Sequence, residues 1–418
     1  MNSAIAALVG LALAIILIIK KVPPVFSLLL GALAGGLLAG WGIEATVAHM
    51  VSGVKDIVPA IVRIIAAGVL SGMLIVTGAA DSIAVAIVDK LGAGRVYLAL
   101  ALAAMLLTAT GVFIDVAVIT IAPIALMVGS QSGAPLPKLL LAMIGGGKCG
   151  NIISPNPNTI IAAENFGAPL QGVMLANQIP ALIGLAVTVW VIVPLMPGGN
   201  SLAAKASAST AAPSRRKDLP SFWASVAGPL LTVALLALRP LFGIAIDPLV
   251  ALPAGGLFGL LTTGRRSLAL ESLRCGLEKM APVAVLLVGT GTIAGIIKAS
   301  AITSIVVDML SGWGGGELLA AISGALMCAA TASTTAGATV ASASFSGAIL
   351  ASGVKAVSGA AIVNASATVL DHLPHGTFFH ATGGCVGLSV SERMKLIPFE
   401  SLTGLTLAAT SVLAQVLL

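Results

Sequence analysis

Charged residues are scarce in this sequence, and their scarcity excludes an ordinary soluble protein. Only 9% of the 418 residues are charged, whereas a soluble chain has about 25%. Aromatic residues make up 4%, hydrophobic residues 58%, and the mean hydropathy is +1.10. The alternating apolar segments of an outer-membrane barrel are also missing. We therefore predict an all-α polytopic membrane protein.

Other absences narrow the function. No Lys/Arg run is interleaved with aromatic residues, so we expect no nucleic-acid partner. The four cysteines form neither a CxxC pair nor a zinc spacing, so we expect no cofactor and no metal site. We find no nucleophile–base pair and assign no catalytic residue. A membrane-embedded metal-dependent hydrolase is therefore only a remote alternative to a transporter.

What the sequence has in abundance is long apolar runs. Examples are Ala4–Ile19, Val173–Val193 and Gly404–Leu418. A helical run of roughly 20 residues crosses about 30 Å of hydrocarbon. Because Lys20 and Lys21 follow the first run instead of preceding it, we expect that run to stay as a helix and not act as a cleaved signal peptide. These runs predict a multi-pass protein of the inner membrane.

A polar segment divides the chain into two similar halves. Pro197–Pro220 is rich in Gly, Ser, Ala and Pro and ends with basic residues, which is typical of a flexible linker. We predict an N-terminal transmembrane repeat at 1–197, a cytoplasmic linker at 198–220 and a C-terminal transmembrane repeat at 221–418. Each half has the same order of spans, a small-residue segment, a broken span and a closing span.

The distribution of basic residues predicts the orientation of the repeats. Each repeat would have about five transmembrane helices, one of them broken, and a re-entrant hairpin, so the second repeat is inverted and both termini lie outside. Two full spans in place of each hairpin are the alternative. The basic residues assigned to the cytoplasm are Lys20, Lys21, Lys90, Arg95, Lys138, Lys205, Arg215, Arg216, Lys217, Arg265, Arg266, Arg274, Lys279, Arg393 and Lys395.

The two hairpins, Val96–Gly129 and Leu318–Ala351, have polar residues near their turns. Broken backbone inside a membrane needs hydrogen-bond partners, which hydroxyls and a bound ligand can supply. The alternative is that these small residues only pack helices closely. We assign to the site Thr108, Thr110 and Asp115 from the first hairpin, and Ser333, Thr334 and Thr335 from the second.

The broken span of the first half is GGGKCGNIISPNPNT, Gly145–Thr159. Pro155 and Pro157 prevent a regular helix, and Lys148 is the one cation deep in this apolar segment. A cation among many donors suits a carboxylate that also has hydroxyl groups; the alternative for Lys148 is snorkelling to the interface. The substrate-binding residues predicted here are Lys148, Asn151, Ser154, Asn156, Asn158 and Thr159.

The broken span of the second half is NASATVLDHLPHGTFFH, Asn364–His380. His titrates near neutral pH, so a cluster of Asp and His suits a proton relay. A metal site is the weaker alternative, because Pro374 and Gly376 disrupt the helix that an HExxH motif requires. We assign His372 and Thr377 to the substrate. The residues assigned to the coupled proton are Asp115, Asp371 and His375.

Four segments resemble the gluconate permease family of gluconate:proton symporters, in the ion transporter superfamily. They are SPNPNTIIAAENFGAPL (Ser154–Leu170), CAATASTTAGATVASASF (Cys328–Phe345), HLPHGTFF (His372–Phe379) and SERMKLIPFESLTGL (Ser391–Leu405). The resemblance implies proton coupling and a small organic anion or zwitterion as substrate. Typical members have His where Asn156 stands and Asn-Asp where Pro374-His375 stand, and these departures fall beside the expected site.

We therefore expect a proton-coupled symporter for a small organic acid, such as gluconate or a related hydroxy or sugar acid. Its site should form between the two hairpin tips and the two broken spans. The partners expected are the organic anion, H⁺ and the lipid bilayer. A sodium-coupled carboxylate transporter is the alternative, because hydroxyls and the carbonyls of broken helices also suit Na⁺. A homo-oligomer is compatible with the sequence.

Overall fold

The structure, a computed structural model, describes residues 3–91, 95–197, 218–244, 246–301, 315–374 and 376–417. All regular secondary structure in these ranges is helical. The predicted proton carrier His375 and most of the predicted linker, 198–217, lie outside the described residues.

The described helices fall on either side of the predicted linker. The first half contains α1 (Ser3–Ile19), α2 (Pro24–Leu38), α3 (Gly42–Val76), α4 (Ala79–Leu91), α5 (Val96–Ala109), α6 (Ile114–Ser132), α7 (Leu136–Asn151), α8 (Pro157–Phe166), α9 (Leu170–Ala176), α10 (Gln178–Val187) with a π-helical turn (Thr188–Ile192), and α11 (Val193–Leu195). The second contains α12 (Phe222–Phe242), α13 (Pro248–Thr262), a 3₁₀ turn (Arg266–Leu268), α14 (Ala269–Ala299), α15 (Gly316–Thr331), α16 (Thr334–Ala351), α17 (Ala356–Ser366), α18 (Thr377–Cys385), α19 (Val390–Met394) and α20 (Ile397–Leu417).

Four helical stretches are long and apolar enough to cross a membrane: Gly42–Val76, Leu170–Leu195, Arg266–Ala299 and Val390–Leu417. Shorter apolar helices, α1, α2, α5, α12, α13, α15 and α17 among them, accompany these stretches. Many large apolar side chains point outward, for example Trp190 and Trp223, which are 63% and 75% exposed. An apolar outer surface is what a bilayer requires of the helices that face it.

The two longest helices, α3 and α14, pack along each other through glycine. Glycines with a proline between them have the same spacing in both helices: Gly53, Pro59, Gly68 and Gly72 in α3, and Gly276, Pro282, Gly291 and Gly295 in α14. A Cβ added to Gly53 would lie 2.1 Å from the carbonyl oxygen of Gly291, and one added to Gly276 would lie 2.0 Å from that of Gly68. The contacts are reciprocal, so the two helices run antiparallel.

The helices beside α3 and α14 also make matching contacts, α2 with α14 and α13 with α3. A Cβ on Gly35 of α2 would lie 3.4 Å from Ile296 of α14, and one on Gly259 of α13 would lie 2.2 Å from Met73 of α3. Ile296 in α14 and Met73 in α3 each follow a matched glycine, Gly295 or Gly72, by one residue. The helix pairs α1–α2 and α12–α13 therefore flank the central pair in equivalent ways.

Two tight turns join α5 to α6 and α15 to α16. Gly111 has φ +98° in the first turn, a left-handed conformation that glycine adopts without strain. Ala332 in the second turn has φ +46°. The helix that leaves the second turn is capped by Ser333, whose hydroxyl accepts a hydrogen bond from the amide of Ala336.

Candidate functional site

The two broken spans meet in the interior of the protein. The first break separates α7 from α8, because Pro155 and Pro157 cannot continue a helical hydrogen-bond ladder. The second separates α17 from α18. The Asn158 side chain donates to Asn364 Oδ1 at 2.7 Å, and Asn364 donates to the Ile152 carbonyl at 3.2 Å. Buried amides thus connect one break to the other across the two halves.

The first break is held in shape by its own polar side chains. Asn156 caps α8: its Oδ1 accepts from the backbone amide of Thr159 at 3.1 Å and from the Thr159 hydroxyl at 3.0 Å. Its amide nitrogen donates to the carbonyl and to the side chain of Asn151. Ser154 donates to the same carbonyl at 3.0 Å. These bonds satisfy groups that the break leaves without helical partners.

Lys148, at the end of α7, is completely buried and does not snorkel to an interface. Its ammonium lies 2.7 Å from Oδ1 of Asp371 in the second break. It also donates to the carbonyl of Thr368 at 2.6 Å and to that of Glu400 at 3.3 Å. The only cation of the first break is therefore neutralised by a carboxylate of the second.

His372 lies against this pair, with Nδ1 3.0 Å from both the Lys148 ammonium and Asp371 Oδ1. Its Nε2 lies 3.1 Å from both the Ile397 carbonyl oxygen, which can only accept, and the Ser401 hydroxyl, which can donate or accept. A ring with its hydrogen on Nε2 alone accepts from Lys148 through Nδ1, whereas a ring with a hydrogen on Nδ1 donates to Asp371. The second oxygen of Asp371 accepts from the Thr334 hydroxyl at 2.7 Å.

Sequence reasoning missed a second buried ion pair beside the first. Arg393 is 1% exposed and forms a two-pronged pair with the fully buried Glu400. Its guanidinium also donates to Thr382 and lies 4.9 Å from the ring centre of Phe379. Arg393 was counted as one of the cytoplasmic loop charges, yet it is an interior residue. The signal that could have revealed the pair is Glu400, an acid within a largely apolar helix.

A cavity of about 940 Å³ opens beside this network. The exposed Lys21 and Lys279 lie at its edge, and the buried Asn151 and Asp371 form its floor. The tips of both hairpins line it. The predicted site residues that line the cavity are Asp115, Asn151, Ser333, Thr334, Thr335, Asp371 and Thr377.

The other predicted site residues that the structure describes lie behind the cavity wall. Lys148 and His372 form the ion-pair layer directly beneath Asp371. The hydroxyls of Thr108 and Thr110 donate to carbonyls of their own helix, at Ala104 and Leu107. The remaining members belong to the hydrogen-bonded first break: Ser154, Asn156, Asn158 and Thr159.

Three helices begin at the cavity: α6 with Ile114–Val116, α16 with Thr334–Ala336 and α18 with Thr377–Phe378. Helix N-termini present free amides and a partial positive charge, which favour anions. Lys21 and Lys279 add positive charge at the edge. The cavity therefore combines hydroxyl donors and a positive rim with two carboxyl groups, Asp115 and Asp371.

Comparisons with known proteins agree with a transporter. The model of the GntP family permeases matches residues 3–251, and that of the Na⁺–H⁺ antiporter family matches 224–313. An uncharacterised transporter of Haemophilus influenzae is 51% identical over 98% of this chain and 97% of its own. A gluconate permease of Pseudomonas aeruginosa is 29% identical over 58% of this chain and 54% of its own.

Two further likenesses are more distant. A high-affinity gluconate transporter of Escherichia coli is 24% identical over 54% of this chain and 51% of its own length. The crystal structure of the YdaH transporter of Alcanivorax borkumensis superposes with a TM-score of 0.62 at 16% identity, over 90% of this chain and 88% of that one. At that identity the superposition shows the fold alone. The chain belongs to the GntP permease family, and is a multi-pass inner-membrane transporter and not an enzyme.

Proposed function

We propose that this protein is a proton-coupled symporter of a small hydroxy or sugar acid, with gluconate as the first substrate to test. The family and the named gluconate transporters among the relatives support the substrate class. The cavity suits such a molecule, because helix N-termini and lysines favour the carboxylate, while Thr334, Thr335 and Asn151 offer groups for hydroxyls.

One observation supports proton coupling above all: Lys148 forms an ion pair with Asp371, and Asp371 lines the cavity. A substrate carboxylate beside an ionised Asp371 would place two like charges together in a site of low polarity. A proton on Asp371 removes that repulsion and at the same time weakens its hold on Lys148. Anion and proton then bind together, which is the requirement for symport.

His372 is a second group that could accept the coupled proton. With a hydrogen on Nε2 alone, Nδ1 accepts from Lys148; once the ring is doubly protonated, Nδ1 donates to Asp371. The two states exchange partners without moving the ring. Asp115, which also lines the cavity, is the reserve proton carrier. His375 completes the proposed set of proton-coupling residues.

The proposal includes two inverted repeats, each with about five spans, a re-entrant hairpin and a broken helix. The reciprocal glycine contacts between the antiparallel α3 and α14 support it. The similar order of the described helices before and after the linker supports it as well, although the counterpart of α4 falls outside the described residues. Single cysteines at Ser214 and at Leu417 test the inversion. The proposal places them on opposite faces, so labelling of both from the same face contradicts it.

Sodium is the alternative coupling ion, favoured by the match of residues 224–313 to the Na⁺–H⁺ antiporter family. Purified protein in liposomes separates the two ions. Labelled gluconate should accumulate under an inward proton gradient without Na⁺, and a proton ionophore should abolish the accumulation. Competition by a panel of short hydroxy acids then ranks the substrates. Uptake that requires Na⁺ and ignores the pH gradient would overturn proton coupling, whereas failure of every acid in the panel would overturn the substrate class.

A further inference from the structure

A third charged cluster, outside the site just described, joins three separate elements. Arg63 of α3 donates to Asp247, before α13, with Nη2–Oδ2 2.8 Å and Nε–Oδ1 3.1 Å. The same guanidinium contacts Glu164 near the end of α8. The exposed fraction of the side chain is 25% for Arg63, 43% for Asp247 and 26% for Glu164. We call Arg63, Glu164 and Asp247 the ionic triad.

Two members of the ionic triad correspond to residues that line the cavity. Arg63 follows Pro59 by the same interval as Leu286 follows Pro282, and Leu286 lines the cavity. Asp247 immediately precedes α13, as Pro23 precedes α2, and Pro23 lines the cavity. Glu164 lies near the end of α8, which follows the first break as α18 follows the second, and α18 lines the cavity with its first residues.

A rotation of one half onto the other relates these equivalent places. The matched helices α3 and α14 run antiparallel, because Gly53 meets Gly291 while Gly68 meets Gly276. A rotation that exchanges the two halves therefore exchanges the two ends of these helices. That rotation carries Arg63 and Asp247 onto the places of Leu286 and Pro23 in the open cavity, so the ionic triad lies where the rotated copy of that cavity would open.

We propose that the ionic triad is the gate that closes the second access path while the cavity is open. The proposal rests on the proposed transport function, since a carrier must expose its site to one face at a time. Partly exposed ion pairs are weak, and a contact that must break in every cycle has to be weak. Positive charge on Arg63 holds two carboxylates that belong to different elements, so their separation opens the path.

Ser342 provides a reporter behind the ionic triad. Asn165, the neighbour of Glu164, donates to the hydroxyl of Ser342 at 2.9 Å, and Ser342 is completely buried between α8 and α16. A Ser342→Cys side chain is of similar size. Its thiol should react with a water-soluble maleimide only when α8 moves away and the path opens. The four native cysteines are replaced by alanine in this background.

The test compares labelling rates in purified full-length protein in nanodiscs. Arg63→Gln should raise the rate at Ser342→Cys roughly three- to tenfold, because loss of two partly exposed ion pairs shifts the closed population by that order. Arg63→Lys, which keeps the charge, should restore most of the protection. The matched control is Asp56→Asn, which also lies on α3 and removes an exposed pair with Lys298. It should leave the rate unchanged.

The outcomes separate the gate from the transport function. Equal labelling of Arg63→Gln and the parent, or equal acceleration by Asp56→Asn, would overturn the gate even if both proteins transport gluconate. Should Arg63→Gln fail to fold, Glu164→Gln and Asp247→Asn each remove one pair and should give smaller increases. Faster labelling in a protein that takes up no organic acid would leave the gate standing and overturn the proposed function.

Discussion

The ammonium of Lys148 and the carboxylate of Asp371 lie 2.7 Å apart and join the first half of the protein to the second. Both side chains are buried, at 0% and 3% exposed. Each charge is tolerable in the interior because the other is present. Protonation of Asp371 would therefore weaken its ion pair with Lys148, and this couples proton binding to the charge available for an anion.

Removal of either partner of this pair should destabilise the protein, and removal of both should not. Lys148→Met leaves Asp371 as a buried, uncompensated charge, which costs about 3–5 kcal/mol. Lys148→Met combined with Asp371→Asn should recover most of that loss. Thermal unfolding of the detergent-solubilised variants measures the coupling. Lys298→Met, which breaks the exposed pair with Asp56, is the control and should change stability by less than about 1 kcal/mol.

Asp371→Asn should abolish uphill uptake while exchange of substrate across the membrane persists. An amide cannot take up the coupled proton, and it removes the carboxylate that neutralises Lys148 at every pH. Accumulation driven by a pH gradient should be lost, and counterflow of labelled against unlabelled substrate should remain. Asp115→Asn, at another wall of the cavity, should retain accumulation. If Asp371→Asn accumulates substrate normally and Asp115→Asn does not, the proton belongs to Asp115.

The sequence predicted the broken spans well, because their cause is local. Proline within an apolar span interrupts the helix wherever the chain folds, so the positions of both breaks could be predicted from the letters. Lys148 and Asp371 were both selected for the same local reason: each is a charge in an apolar segment. Their ion pair could not be predicted, because no spacing rule relates residues on separate halves. Lys148 was thus expected to bind a substrate carboxylate and not Asp371.

Other features depend on long-range packing that residue counts do not detect. Arg393 looked like a loop charge by its neighbours in sequence, and only the fold places Glu400 against it. Arg63 likewise finds its acids on two distant elements. The matched glycine and proline spacing of α3 and α14 was present in the sequence all along. Pro59 and Pro282 give the alignment that would have revealed it.

The two-pronged geometry of the Arg393 guanidinium should stabilise the protein in addition to its charge. Arg393→Lys keeps a cation beside Glu400 but loses the two-pronged pair and the contact with Thr382, which should cost about 1.5–3 kcal/mol. Arg393→Met leaves Glu400 as a buried charge without its partner, which should lower the free energy of unfolding by about 3–5 kcal/mol. The difference between the two variants in thermal unfolding separates geometry from charge. Equal stability of Arg393→Lys and the parent would show that the charge alone is required.

The reciprocal glycine contacts predict matched damage at two distant positions. Gly53→Ala places a methyl 2.1 Å from the carbonyl oxygen of Gly291, and Gly276→Ala places one 2.0 Å from that of Gly68. Backbone atoms cannot give way as a flexible side chain does, so α3 and α14 must move apart. Each substitution should destabilise the protein by about 1–3 kcal/mol, the cost of overpacking. The two losses should be similar, because the contacts are equivalent.

Gly384→Ala is the control for both glycine variants, since its added methyl has nothing within 4 Å. Thermal unfolding in detergent should place it close to the parent protein. Transport gives a second reading of the same variants. If α3 and α14 form the fixed frame about which the broken spans move, Gly53→Ala and Gly276→Ala should lower uptake in proportion to their loss of folded protein. Full stability of one variant and collapse of the other would contradict the equivalence of the two halves.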